Sequence, residues 1–407
     1  MRIGRGGSVI RSYRHISFRC ALLASAVALA VFASVAAAQT YNFQVLHTFT
    51  GAPEDGDWPA SGVHFDNAGN LYGTTYAGGA YGGGTIYKIA NDGTESILYS
   101  FNLLGSAGFA SPNDIAVDPE TGDIYGTTTT QGHNNGDSDQ IYKLTADGTF
   151  TTLYVFNPDH DGTWQSGVIR DPQGNLYGTL EFGPAGAQSK LFEYGADGSF
   201  RVLHVFKHVY NQGPLIRDVA GNLYGFGALN TVAGCGVIYK LARDGGSPIV
   251  YLHTFTPDDG CQPETLTGDR AGNLYGTTGG YPGYVGTIFR LAPDGTFTTL
   301  HTFDIGNGGF SGWGLTNVTP MDGNLYGAAF YGGYYDGLDH SYGVMYRIAS
   351  DGTYTKLFGL PERSGHFLTE ASGLTLNHGR LYGMYARMYT GDDSPSGIIY
   401  SFGAAKQ

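Results

Sequence analysis

A tripeptide Leu/Ile-Tyr-Gly recurs along the chain about every fifty residues, and this periodicity constrains the fold more than any other feature of the sequence. Its seven copies are separated by 53, 52, 47, 51, 51 and 56 residues, and their tyrosines are Tyr72, Tyr125, Tyr177, Tyr224, Tyr275, Tyr326 and Tyr382. A repeat of this length is one supersecondary unit that buries its apolar surface only against its neighbours. The chain is therefore expected to fold as an array of seven similar units.

Each unit has the pattern of four antiparallel strands. A segment such as Gly62–Asp66 precedes the tripeptide, and an alternating segment such as Thr85–Ile89 follows it. An Asp-Gly turn, the strongest short hairpin signal, then leads to a last strand that ends in Leu-x-x-Phe, as from Leu98 to Phe101. Alternation with period two is typical of a strand that is buried on one face. Four antiparallel strands per repeat are the content of a β-propeller blade.

The two ends of the repeat array predict how the ring closes. The last copy stops at Phe402 without a fourth strand, whereas an additional fourth strand, Phe43–Phe49, precedes the first copy. Pairing these ends completes the last blade and removes an open sheet edge. The predicted fold is all-β: a seven-bladed β-propeller with four antiparallel strands per blade, in which the N-terminal strand joins the last blade. The predicted blades cover about residues 60–101, 113–156, 166–206, 213–255, 264–303, 314–358, and 371–402 with 42–49.

Residues 1–38 are predicted to be a secretory signal peptide, which leaves residues 39–407 as a single propeller domain. This segment contains five arginines and no acidic residue, with an apolar run from Ala21 to Val35 and small residues up to Ala38. The apolar run is shorter than the roughly 20 residues that span a bilayer, so cleavage is favoured over a membrane anchor. We expect a secreted or periplasmic protein without a membrane span after signal removal.

The charge balance of the remaining chain excludes one class of partner. Removing the five arginines leaves 17 basic residues against 35 acidic ones, a net charge of −18. Affinity for nucleic acid depends on Lys and Arg that neutralise phosphates, so we expect no nucleic-acid binding. The balance fits a soluble protein that faces cations or neutral ligands. We expect a monomer whose partner is a carbohydrate or a surface protein.

The repeat resembles a known bacterial family. From Asp57 to Gly93 the pattern reads Asp-Gly, Pro, Gly, Asp, Gly-Asn-Leu-Tyr-Gly-Thr-Thr, Gly-Gly, Gly-Thr-Ile-Tyr-Lys-Ile and Asp-Gly, and it recurs to the C-terminus. In this it is similar to the GloVer tandem-repeat family, also described as choice-of-anchor GloVer-containing proteins. The resemblance implies an exported, surface or extracellular protein and brings no established activity or catalytic residues. Members often end in an anchoring tail, which Ser401–Gln407 do not resemble, so release or a periplasmic location is expected.

One face of the predicted propeller carries the long and varied loops, where function usually resides. Aromatic rings beside carboxylates suit sugars, whose C–H faces stack on the rings while hydroxyl groups bind to polar side chains. The alternative is that each Trp fills the seam between two blades as part of the core. The candidate ligand-binding residues on this face are Trp58, Trp164, Trp313, Tyr81, Tyr281, Tyr284, Tyr334 and Tyr335.

Acidic pairs in the same loops are candidate calcium ligands. Asp55 with Asp57 and Asp159 with Asp161 offer oxygen atoms, although calcium needs six or more ligands and several loops would have to contribute. Turn aspartates facing solvent are the competing interpretation. No cofactor is required by the sequence, and calcium is the ion that these residues would hold. Four histidines, His47, His204, His253 and His301, share one position in the fourth strands and are interpreted as structural elements of the repeat.

Cys235 and Cys261 are the only cysteines that remain after removal of the signal peptide. Both are predicted to lie in loops of the fourth blade on the loop-rich face. A disulfide between them suits an exported protein, and we predict that it forms.

No specific catalytic motif is present in the sequence, neither a nucleophile elbow nor a phosphate loop nor a zinc-protease motif. The predicted function is a non-enzymatic exported scaffold that binds a carbohydrate or cell-surface partner through its loop-rich face. One alternative is a polysaccharide-active hydrolase or lyase with its site at the mouth of the central channel. Convergent acids, Tyr or His with shifted pKa values would favour that alternative. The other alternative is a structural or adhesion protein without a small ligand.

Overall fold

Seven small antiparallel sheets, one for each repeat, make up the computed structural model of the protein. The structure describes residues 41–102, 110–130, 139–157, 160–182, 188–211, 213–229, 235–243, 248–279, 286–303, 315–329, 344–359, 368–371, 373–387 and 397–404. Every element among these residues is a strand, and Tyr41–Gly403 form one compact unit. None of the described residues belongs to a helix that is long and apolar enough to cross a membrane. The predicted seven-bladed β-propeller is confirmed.

Six blades run through their four strands in chain order, and blade 7 takes its fourth strand from the N-terminus. The first strands, three of which are interrupted, are β2 (Gly56–Pro59) with β3 (His64–Phe65), β7 (Ala110–Val117), β11 (Thr163–Arg170), β15 (Val209–Asn211) with β16 (Ile216–Arg217), β20 (Gln262–Gly268), β24 (Thr319–Met321), and β28 (Leu368–Ala371) with β29 (Thr375–Asn377). The second strands, which carry the Leu/Ile-Tyr-Gly tripeptide, are β4 (Leu71–Gly78), β8 (Ile124–Thr130), β12 (Leu176–Phe182), β17 (Leu223–Leu229), β21 (Leu274–Gly279), β25 (Asn324–Ala329) and β30 (Arg380–Arg387).

The third and fourth strands complete the sheets. The third strands are β5 (Gly82–Ile89), β9 (Gln140–Leu144), β13 (Lys190–Tyr194), β18 (Gly236–Leu241), β22 (Thr287–Leu291), β26 (Val344–Ile348) and β31 (Gly397–Ala404). The fourth strands are β6 (Glu95–Asn102), β10 (Phe150–Val155), β14 (Phe200–Val205), β19 (Val250–Thr254), β23 (Phe297–Thr302), β27 (Tyr354–Gly359) and β1 (Tyr41–Phe49). Strand β1 pairs with β31, so the N-terminal strand closes the ring as predicted.

The glycine of the tripeptide is explained by the ring that lies across it. In blade 1, Gly73 pairs with Tyr87 of the third strand, and a Cβ atom at Gly73 would lie 2.6 Å from Cζ of that tyrosine. Such a separation is too short for two carbon atoms in contact, so only glycine fits under the ring. The rings at the equivalent position are Tyr87, Tyr142, Phe192, Tyr239, Phe289, Tyr346 and Tyr400, all fully buried. Because two are Phe, the position requires a packed ring rather than a hydroxyl group.

The turn between the first and second strands is built around a carboxylate, which explains the Asp-x-x-Gly-Asn-Leu-Tyr pattern. The Asp66 carboxylate accepts hydrogen bonds from the Asn70 backbone amide (2.8 Å), the Asn70 side chain (2.6 Å) and the Tyr72 hydroxyl (2.9 Å). These donors outweigh the cost of burial and hold the Asp66 pKa below its usual value. The same network surrounds Asp171, Asp218 and Asp269.

The hydrophobic core lies in the seams between neighbouring blades. Each cluster of buried side chains joins residues of two blades, and the fourth-strand Phe of one blade packs edge-on against the third-strand ring of the next. At the closing seam, Phe49 of β1 is fully buried and its ring centroid is 5.1 Å from that of Tyr87. First strands of adjacent blades also contact one another, as β3 contacts β7 and β7 contacts β11. They therefore converge on the axis and line the central channel.

Candidate functional site

The loop-rich face carries the hairpins between second and third strands and the loops between blades. Blade 1 is the blade in which the hairpin and the loop that leads into the blade are both described throughout. Trp58 of β2 is half-buried and lies edge-on against Tyr76, with ring centroids 5.6 Å apart. Tyr81 lies at the hairpin between β4 and β5 and is 60% exposed. Asp57, half-buried, directly precedes Trp58. We refer to Asp57, Trp58, Tyr76 and Tyr81 as the blade 1 aromatic patch.

The backbone at Trp58 is unusual. Its φ angle is +62°, in the left-handed region that bulky residues seldom adopt. Both neighbours of Trp58 are fixed, because Asp57 pairs with Ala77 and Pro59 pairs with Thr75 of strand β4. Strained residues of this kind cluster at functional sites, where the surrounding structure holds them in place. The strain therefore marks Trp58 as the strongest candidate on this face.

The structure describes little of the other predicted ligand-binding residues. Trp164 lies within β11, and its side chain is outside the described part of the structure. The residues that lie outside the described ranges altogether are Trp313, Tyr281, Tyr284, Tyr334, Tyr335 and the candidate calcium ligand Asp159. That the three tryptophans lie on one face and bind a ligand therefore stays a prediction.

The aspartates predicted as calcium ligands also shape the loops between blades. The Asp55 carboxylate accepts the Thr50 amide at 2.8 Å, and that of Asp161 accepts the Asn157 amide at 2.8 Å. Asp259, which holds the corresponding place in the loop that leads into blade 5, accepts the Thr256 amide in the same way. In each loop the same carboxylate meets a fourth-strand side chain of the preceding blade, which is His47, Tyr154 or His253. Each of these aspartates thus has a structural role in the repeat, and calcium binding remains a prediction.

The two cysteines are bonded to each other. Cys235 and Cys261 form a disulfide, and both residues are buried in the core cluster between blades 4 and 5. Cys235 precedes β18 and Cys261 precedes β20, so the bond joins the third strand of one blade to the first strand of the next. The bond therefore ties the two blades together near the loop-rich face.

A histidine–aspartate pair that no sequence pattern indicates lies on the channel-lining strands. His64 of β3 and Asp114 of β7 belong to neighbouring blades, and His64 Nε2 is 2.7 Å from an oxygen of Asp114. Burial acts to lower the His64 pKa, but the charge and hydrogen bond of Asp114 outweigh it, and the pKa is raised. The buried hydroxyl groups of Tyr87 and Tyr142 have no hydrogen-bond partner among the described residues. Burial raises the pKa of both, and the charge of Asp114 adds to the rise.

This pair predicts a pH-dependent contribution to stability. A histidine whose pKa is raised on folding stabilises the native state below its unfolded value of about 6.5, and this stabilisation is lost as the pH rises through the folded pKa. We therefore expect the wild type to exceed Asp114→Asn in unfolding free energy by more at about pH 6 than at about pH 8. Denaturant titrations at both pH values measure the difference. A difference that is independent of pH would contradict a charged His64–Asp114 pair.

Comparison with known proteins supports the fold. A chain of the mitotic checkpoint complex has a TM-score of 0.52 at 11% identity, covering 98% of both chains. The extracellular domain of a one-component system from B. thetaiotaomicron has a TM-score of 0.50 at 12% identity, covering 90% of this chain and 43% of that one. A gluconolactonase from Xanthomonas campestris reaches a TM-score of 0.42 at 14% identity, covering 88% and 98%. At these identities the first two show a shared fold, and we draw no functional inference from any of them.

The family assignment rests on the repeat itself. No curated protein matches the sequence. The model of the Gloeobacter/Verrucomicrobia repeat matches twice, over residues 30–225 and 207–400, and so takes in all seven blades. This confirms the resemblance that the Leu-Tyr-Gly repeat predicts. The chain belongs to the Gloeobacter/Verrucomicrobia repeat family.

Proposed function

We propose that this propeller is an exported scaffold that binds a carbohydrate, either free or on a cell surface, through its loop-rich face. The observation that carries the proposal is the blade 1 aromatic patch, in which the half-buried Trp58 is held edge-on by Tyr76 on a strained strand. An indole fixed in this way loses little conformational freedom when a sugar ring stacks on it. Asp57 and the exposed Tyr81 supply polar groups on the same blade.

The negative charge of the chain restricts the class of carbohydrate that it would bind. With 35 acidic residues against 22 basic ones even before signal removal, polyanionic glycans would be repelled at low salt. Neutral polysaccharides, whose recognition depends on stacking and hydrogen bonding, fit the patch better. The first panel for binding should therefore contain neutral soluble polysaccharides, with acidic ones as the contrast.

Thermal unfolding in the presence of each polysaccharide tests the proposal. A ligand at a hundred times its Kd stabilises the native state by about 2.7 kcal/mol, which should raise the Tm by roughly 3–4 °C for a domain of this size. Replacing the indole in Trp58→Ala should weaken the affinity at least about tenfold, equal to about 1.4 kcal/mol. Isothermal titration then gives the Kd of each variant.

Tyr81→Ala and Tyr251→Ala form a matched pair for this experiment. Both tyrosines are largely exposed, but Tyr251 lies on the outer strand β19 of blade 4, away from the loop-rich face. We expect Tyr81→Ala to weaken binding and Tyr251→Ala to leave it unchanged. Binding that is unaffected by Trp58→Ala and Tyr81→Ala would reject the blade 1 aromatic patch as the site.

A second candidate function is a polysaccharide-active hydrolase or lyase that works in the channel. The observation that favours it is the His64–Asp114 pair on the channel-lining strands, because a histidine oriented by a carboxylate is a suitable general acid or base. Incubating the protein with the same polysaccharides and measuring both binding and new chain ends decides between the two functions. Saturable binding without new chain ends supports the scaffold, whereas catalytic release of products that is lost in His64→Gln supports the enzyme.

A further inference from the structure

The seams between blades repeat one aromatic contact near the outer strands. A ring close to the end of one fourth strand stacks on the ring that lies six residues before the Phe (Leu360 in blade 6) that ends the Leu-x-x-Phe motif of the next blade. Centroid distances in these stacks run from 3.8 Å to 5.0 Å. The described stacks are Tyr99–Phe150, Tyr154–Phe200, His253–Phe297, His301–Tyr354 and Phe358–Phe43.

The closing seam departs from this pattern. In blade 1 the equivalent position is Glu95, six residues before Phe101, and it is the only carboxylate at this position in the seven repeats. Blade 4 has Ile249 there, and the remaining blades have Phe or Tyr. An apolar side chain in six seams shows that the packing does not require a charge. Glu95 must therefore be explained by something particular to the seam between β1 and blade 1.

Three metal-ligating side chains meet at this seam. His47 comes from the closing strand β1, Asp55 from the loop that follows it, and Glu95 from β6 of blade 1, and their ligand atoms lie within 4.8 Å of one another. The Glu95 Oε1 atom is buried and has no hydrogen-bond partner among the described residues. A buried, unpaired carboxylate oxygen is costly unless a cation or a proton compensates it.

The spacing of His47 and Asp55 differs from that of the other histidine–aspartate pairs. His47 Nε2 lies 3.2 Å and 3.4 Å from the two Asp55 oxygens, whereas His253–Asp259 is 2.9 Å and His64–Asp114 is 2.7 Å. Two ligands bound at about 2.1 Å to a tetrahedral ion are about 3.4 Å apart. Hydrogen bonds from the amides of Thr50 and Gly56 fix the Asp55 carboxylate, as outer partners of metal ligands do.

We propose that His47, Asp55 and Glu95 bind a zinc-type transition-metal ion that fastens the closing strand β1 to blade 1. One imidazole and two carboxylates suit zinc, whereas calcium prefers oxygen ligands alone. Three protein ligands leave the fourth tetrahedral position to water. The side chains of His47 and Asp55 are partly exposed, so an ion can enter from solvent. The ion would join the N-terminal strand, which completes blade 7, to the neighbouring blade 1.

Metal titration of the purified, tag-free protein after chelator treatment tests the proposal. We expect one zinc ion per chain, a Tm increase of roughly 3–4 °C at a hundred times the Kd, and the visible absorption of tetrahedral cobalt(II) when cobalt replaces zinc. Glu95→Phe restores the ring found at other seams and is therefore expected to fold. It should lose the cobalt spectrum and the zinc-dependent increase in Tm.

Two further variants separate this site from the other histidines. His47→Phe, which copies Phe358 of blade 6, should lose the same signals, whereas His253→Phe at the seam between blades 4 and 5 should keep them. The proposal is overturned if zinc binds equally to wild type, Glu95→Phe and His47→Phe, if zinc does not bind to the folded protein, or if calcium binds there and zinc does not displace it. None of these readouts depends on glycan binding, so the carbohydrate proposal stands or falls separately.

Discussion

Replacing Phe49 by Ala is expected to destabilise the protein by about 3–5 kcal/mol. Phe49 is fully buried in the closing seam, where it packs with Val63, Tyr87 and Ile399 in one core cluster. The substitution removes an aromatic ring from a close-packed core and leaves a cavity. Phe49 is the only fully buried side chain of β1, so the substitution also removes the main anchor of that strand. Urea or guanidinium unfolding monitored by tyrosine and tryptophan fluorescence measures the loss.

Phe156→Ala is the matched control for this prediction. Phe156 occupies the same position at the end of the fourth strand of blade 2 and packs against Phe192 of blade 3 with ring centroids 5.5 Å apart. If the ring is closed, the two variants lose similar amounts of stability and each unfolds in a single transition. A large loss in Phe156→Ala together with an unchanged Phe49→Ala would show that the seam at β1 does not contribute to stability.

The second large effect is expected from Gly73→Ala. The added Cβ would meet the ring of the fully buried Tyr87, which is enclosed by Phe49 and the core of the closing seam and has no room to withdraw. Overpacking of this kind costs about 1–3 kcal/mol. Gly73 has no unusual φ angle to relieve, so the cost arises from contact with the ring and not from backbone strain.

Gly359→Ala provides the control for Gly73→Ala. Gly359 ends strand β27, its φ is not in the left-handed region, and no atom lies within 4 Å of the position of an added Cβ. We expect its unfolding free energy to remain within about 0.5 kcal/mol of wild type. A Gly73→Ala variant as stable as Gly359→Ala would mean that the ring of Tyr87 does not lie across the second strand.

The fold was predictable because each repeated residue has one structural role within its own blade or seam. Gly73 lies under a ring, Asn70 and Tyr72 donate to Asp66, and Phe49 fills a seam, and the same reasons recur in other blades. Because the pattern occurs seven times, chance does not account for it. Counting strands then shows that the last repeat lacks a fourth strand, which the N-terminal segment supplies. The segments of the first strands that lie nearest the loop-rich face, such as β2, are not predictable as strands because Gly, Asp and Pro residues typical of turns surround them.

The candidate sites were less predictable because they depend on departures from the repeat. Trp58 was identified from its loop, but its left-handed backbone and its contact with Tyr76 require coordinates. His64 and Asp114 are 50 residues apart and meet only because adjacent first strands converge. Glu95 could have been noticed as the one carboxylate at a position that otherwise holds apolar or aromatic residues, but its proximity to His47 follows only from ring closure.

Hydrogen–deuterium exchange of strand β1 tests the central claim, a ring closed by its N-terminal strand, most directly. The fourth strands β1, β10 and β14 all lie at the edge of a blade and pair with one third strand, so their amides can be compared position by position. In a closed ring, the paired amides of Tyr41–Phe49 should exchange as slowly as those of Phe150–Val155 and Phe200–Val205, because all three open only with the core. Rapid exchange confined to Tyr41–Phe49, with the other two segments protected, would contradict closure by this strand.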